Sequence, residues 1–91
     1  MLERMTHDKH TEVTFVLPLD LPPGPVSVVG EFNDWRPGVN RFEPREDGLR
    51  AARVVLPTGE RIGFRYLASD DHWFDEVDAD SHEGQNSYVY T

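Results

Sequence analysis

Two tryptophans, an arginine and an asparagine are the residues of this 91-residue sequence whose types and positions most favour ligand binding. Trp35 ends a Gly-x-Phe-Asn-x-Trp turn, and Trp73 lies just past a predicted hairpin, so each indole stands where a strand stops and the chain meets water. A sugar ring has an apolar face of C–H groups, which a flat indole matches, and a rim of hydroxyls, which a cation and an amide match. With Arg65 and Asn86 close by, the two tryptophans predict an α-glucan site.

The same tryptophans have a simpler interpretation, in which each ring only caps one end of the fold. Arg65 favours the binding interpretation, because it is expected on the outward face of the strand next to Trp73. Solvent exposure of both rings separates the two: a ring buried in the core offers no platform to a sugar.

The sequence contains no recognisable catalytic motif, and we expect that the protein is not an enzyme. There is no cysteine, no G-x-S-x-G elbow, no phosphate loop and no H-E-x-x-H motif. His72 and His82 flank an acidic loop, where a solvated surface role is expected. A (β/α)₈ barrel needs about 250 residues, so the chain cannot hold one.

Seven acidic residues between positions 70 and 83 raise the possibility of a calcium site, since calcium prefers oxygen ligands. The run lacks the full D-x-[DN]-x-[DN]-G pattern with its distal glutamate. We therefore expect a solvated acidic loop, with no metal and no cofactor.

Net charge and hydrophobicity restrict the classes of partner and the cellular location that we expect. The net charge is −8, with 17 acidic and 9 basic residues, which disfavours a bare nucleic-acid backbone or an anionic membrane as partner. No stretch approaches the ~20 apolar residues of a membrane span, and the polar first ten residues do not resemble a secretory signal. A cytoplasmic location is the expectation.

Alternating apolar residues and frequent turns predict the elements that must position these side chains. About seven short strands, separated by turns every eight to twelve residues, favour an all-β, immunoglobulin-like antiparallel β-sandwich. Residues 1–10 show no periodicity and are predicted to be a disordered polar tail, and residues 11–91 a single domain. The predicted core residues are Phe15, Val28, Phe32, Val54, Phe64 and Tyr66.

Five motifs in order resemble the family 48 carbohydrate-binding module, the isoamylase-like N-terminal domain of glycogen branching and debranching enzymes of glycoside hydrolase family 13. The same module is the glycogen-binding domain of the β subunit of AMP-activated protein kinase. The resemblance covers about residues 11–91. Its motifs are VVGEFNDW (28–35) followed by Pro37, the turn at 56–60, the aromatic-basic-aromatic strand at 64–67, Trp73 with Asp75-Glu76, and the Ala-Asp and Asn-Ser elements at 78–80 and 84–87.

This resemblance implies a non-catalytic early-set sandwich that binds glycogen, starch or maltooligosaccharides. In glycogen-binding members both tryptophans stack on glucose rings, and the strand's basic residue and the asparagine of the Asn-Ser element bond sugar hydroxyls. Those positions are Trp35, Trp73, Arg65 and Asn86 here. The alternative is a docking domain of the same fold, which associates with a separately encoded glycogen-metabolising enzyme or kinase without a sugar site of its own.

Overall fold

Ten short strands in two antiparallel sheets make up the fold in the computed structural model, which describes residues 1–91. A short 3-10 turn over Glu31–Asn33 follows the third strand. No helix in the structure has the length and apolar character that crossing a membrane requires. The strands are β1 (Leu2–His7), β2 (His10–Pro18), β3 (Ser27–Gly30), β4 (Asn40–Arg41), β5 (Glu43–Pro44), β6 (Leu49–Pro57), β7 (Arg61–Ala68), β8 (His72–Phe74), β9 (Ser81–Glu83) and β10 (Asn86–Tyr90).

The strand order is that of an immunoglobulin-like sandwich. The smaller sheet has the order β1-β2-β6-β5, and the larger has β4-β3-β7-β10-β9, with β8 also paired to β7. In the immunoglobulin fold, strands A, B, E and D form one sheet and strands C, F and G the other. Here β1, β2, β6 and β5 correspond to strands A, B, E and D, and β3, β7 and β10 correspond to strands C, F and G. The predicted fold class is confirmed, with ten strands in place of about seven.

Alternation along β2 and β7 builds the core between the sheets. Val13 and Phe15 of β2 and Phe64 and Tyr66 of β7 are fully buried, because residues two apart on a strand face the same side. The Phe15 and Phe64 ring centroids lie 4.9 Å apart. Of the six predicted core residues, four are buried, and Phe32 and Val54 pack against the core while partly exposed.

The predicted disordered tail over residues 1–10 is wrong, because Leu2–His7 form β1 and pair with β2 from Leu2↔Phe15 to His7↔His10. The strand gave no periodic signal because its side chains, apart from the partly buried Leu2, are exposed. Backbone hydrogen bonds to β2 hold it as an edge strand, and Arg4 adds a 2.7 Å ion pair with Asp80.

The predicted solvated acidic loop within residues 70–83 is wrong in two respects. It contains the short strand β9, and Glu76 within it is buried, with 2% of its surface exposed. One carboxylate oxygen of Glu76 accepts hydrogen bonds from the Tyr66 hydroxyl (2.8 Å) and the N-terminal amine (2.6 Å), and the other from the Asp78 amide (2.9 Å). Burial by itself raises the pKa of Glu76, but these bonds outweigh it and hold the pKa below its ordinary value. An ionised Glu76 therefore anchors the loop that follows Trp73.

Candidate functional site

Three of the four predicted site residues lie on the outward face of the larger sheet. Leu67 of β7 pairs with Trp73 of β8, and directly opposed residues of an antiparallel pair point to the same side. Arg65, two residues before Leu67, shares that face. Gly63 pairs with Tyr88 of β10, so Asn86, two residues before Tyr88, also faces outward. The strand register thus places Trp73, Arg65 and Asn86 on three neighbouring strands around one patch.

Arg65 and Trp73 are in contact. The guanidinium carbon of Arg65 lies 5.2 Å from the centroid of the indole, which is within cation–π range. The Nε atom of Arg65 lies 3.6 Å from Asp75 Oδ1, which makes an ion pair, but this buried nitrogen has no hydrogen-bond partner. A buried donor without a partner is uncommon and costs free energy.

Trp35 reaches the solvent from a separate turn. The side chain of Asn33 accepts a hydrogen bond from the Gly30 amide (3.1 Å) and donates to the Val28 carbonyl (3.1 Å), which closes the 3-10 turn at the end of β3. The Trp35 amide then donates to the Gly30 carbonyl at 2.9 Å. Asp34 and Trp35 both have left-handed backbones, with φ of 55° and 58°. The turn is therefore well defined, and it lies on the β3 side of β7, whereas Trp73 lies on the β8 side.

Neither tryptophan belongs to the core. Trp35 is 39% exposed and Trp73 is 37% exposed, so each ring meets solvent with part of its surface. Asn86 and Arg65 are half-buried. Neither ring is enclosed between the sheets, so both remain accessible for stacking.

Beyond Arg65, the outward face contains a packed cluster of Gly63, Tyr88 and Arg61 that the sequence did not predict. The Tyr88 ring lies over Gly63, because a Cβ added there would be 3.0 Å from the ring and 3.2 Å from a carboxylate oxygen of Glu31. The Arg61 guanidinium carbon in turn lies 3.6 Å from the Tyr88 centroid. Alternation along β7 puts Gly63 and Arg61 on the outward face, but only the register with β10 brings Tyr88 over the glycine.

Three of the acidic side chains in residues 70–83 have different partners. Asp75 pairs with Arg65, Asp80 bonds both Arg4 and the Tyr90 amide, and Glu83 pairs with Arg61 at 2.7 Å. Groups of three or more histidine, aspartate or glutamate side chains that could hold a metal ion are not found.

No protein-family model matches this sequence, and a search of the curated proteins finds no match either. The functional argument therefore rests on the geometry and chemistry of the outward face.

Proposed function

We propose that this domain is a non-catalytic, cytoplasmic module that binds α-glucans on the outward face of its larger sheet. The observation that carries the proposal is the contact between the partly exposed Trp73 indole and the Arg65 guanidinium on the outward face of the larger sheet. An apolar sugar face would stack on the indole, while sugar hydroxyls would accept hydrogen bonds from Arg65. The Asn86 amide would both donate hydrogen bonds to sugar hydroxyls and accept them. Trp35 would provide a second platform from its own turn.

The expected affinity is low. Stacking on each indole gains about 25 cal/mol per Å² of apolar surface buried. Hydrogen bonds from Arg65 and Asn86 add about 0.5–1.5 kcal/mol each, and somewhat more where the donor is charged. The entropy lost on association removes much of this gain, which leaves a dissociation constant between about 10 μM and 1 mM. Because the ligand is neutral and releases no counterions, binding should depend little on salt.

Titration with maltoheptaose, followed by tryptophan fluorescence, tests the proposal. A β-linked glucan oligosaccharide of similar length is the matched control ligand, since it carries the same hydroxyls and ring faces in a different chain shape. Saturable quenching or enhancement with maltoheptaose, and much weaker binding of the β-linked chain, is the expected result. Absence of binding at millimolar maltoheptaose would favour the docking domain instead.

A further inference from the structure

A cavity of about 260 Å³ opens on the same outward face, where β3 pairs with β7 on one side and β4 on the other. One wall is Leu67, the strand partner of Trp73. Across Ser27 from Leu67, the other wall is formed by Gly38 and by Arg41 of β4. The cavity is smaller than the ~300 Å³ at which pockets for drug-sized ligands begin, so it suits a single ring of a longer ligand.

Arg41 is the one arginine of the eight in the chain that makes no ion pair and no side-chain hydrogen bond. Its guanidinium lies beside Gly38, where an added Cβ would be 3.8 Å from one terminal nitrogen and 3.9 Å from Nε. Each of the other seven has a protein partner. Arg4, Arg36, Arg45, Arg53, Arg61 and Arg65 pair with carboxylates, and Arg50 donates to the carbonyls of Pro22 and Gly24.

The polar lining of the cavity consists of hydrogen-bonding groups without a carboxylate. Its polar lining residues are Ser27, Ser69 and Arg41. Ser27 Oγ also accepts a hydrogen bond from the Gly38 amide at 3.3 Å, which ties the loop to β3. Gly38 has a φ of 81°, a backbone that favours glycine and keeps the loop in this shape. A guanidinium offers five donors in a fixed plane and no acceptor, which suits neighbouring sugar hydroxyls.

We propose that Arg41 is a further ligand-contacting residue, which donates hydrogen bonds to the hydroxyls of one glucosyl unit seated in the cavity beside Leu67. This inference rests on the proposed α-glucan function. It extends the surface around Trp73 across β7 and β3 to the unpaired arginine of β4.

Two single substitutions that each remove one positive charge test it, one on β4 and one in the loop before it. Arg41→Ala removes the cavity arginine. Arg36→Ala removes an arginine whose side chain is 72% exposed and pairs with Asp34 outside the cavity. Calorimetric titration with maltoheptaose should give a dissociation constant about tenfold weaker for Arg41→Ala, as expected for one charge-assisted hydrogen bond. The constant for Arg36→Ala should stay within about twofold of the parent.

The outcomes separate this inference from the proposed function. If the parent binds and both variants bind equally well, the cavity has no role and the inference is wrong. If the parent does not bind maltoheptaose, both the inference and the proposed function are wrong. Melting temperatures establish that the variants are folded, and Arg41→Met, which keeps the aliphatic stem, gives the same readout if Arg41→Ala lowers stability.

Discussion

Phe64→Ala removes a ring that is wholly buried between the sheets. The ring centroid of Phe64 lies 4.9 Å from that of Phe15 and 5.6 Å from that of Tyr66, so the substitution opens a cavity at the centre of the aromatic cluster. Truncating a buried phenylalanine costs about 3–5 kcal/mol, made up of lost apolar transfer and the cavity left behind. A chain of 91 residues has a free energy of unfolding of about 5–14 kcal/mol.

The variant should therefore lose a large part of its stability. In a domain of this size each kcal/mol corresponds to about 4–8 °C in melting temperature, so we expect a decrease of at least about 12 °C by circular dichroism. Urea unfolding should report a loss of the same size in free energy.

Val55→Ala is the matched control, because this side chain is on β6 but is 59% exposed. Its free energy of unfolding should stay within about 0.5 kcal/mol of the parent. A melting temperature for Phe64→Ala close to that of the control would refute the assignment of the inward face of β7.

Three other measurements address the acidic segment and the outward face. Glu76→Gln should lower the free energy of unfolding at pH 7 by about 1–3 kcal/mol, since it removes a buried, hydrogen-bonded charge. Because folding lowers the pKa of Glu76 from its ordinary 4.5, its contribution is complete above about pH 4.5 and is lost as the pH falls through the lower folded value. The difference in urea stability between parent and variant should shrink on acidification, and a difference independent of pH would contradict this role. Adding millimolar calcium should change the melting temperature very little, whereas an increase of many degrees would demonstrate specific binding in residues 70–83. Gly63→Val should lower the melting temperature and displace Tyr88, because a Cβ at this position meets its ring at 3.0 Å; an unchanged melting temperature would argue against this packing.

Alternation of apolar and polar residues was sufficient to predict which side chains of a strand face the core. Phe64 and Tyr66 were correctly placed in the core, and Arg65 on the opposite face, because a strand of period two leaves no other arrangement. The exposure of Trp73 followed from its position just past a turn of Asp70 and Asp71, both of which have left-handed backbones.

The remaining features depend on partners distant in sequence. Nothing local distinguishes Glu76 from its solvated neighbours, because its burial requires the hydroxyl of Tyr66. The strand β1 lacks apolar alternation, since its order comes from backbone pairing with β2. The free guanidinium of Arg41 becomes visible only when the partners of the other arginines are known.

The central claim, that the two exposed indoles bind an α-glucan, is tested most directly by calorimetric titration of maltoheptaose into the parent, Trp35→Ala and Trp73→Ala. We predict a dissociation constant between about 10 μM and 1 mM for the parent and at least a tenfold weaker one for each variant. Both variants should remain folded, because neither ring is in the core, and their melting temperatures check this. Arg65→Ala should weaken binding less than either tryptophan variant. The account is contradicted if both tryptophan variants bind as tightly as the parent, or if the parent does not bind at millimolar sugar. The docking domain would then be the better explanation of the function.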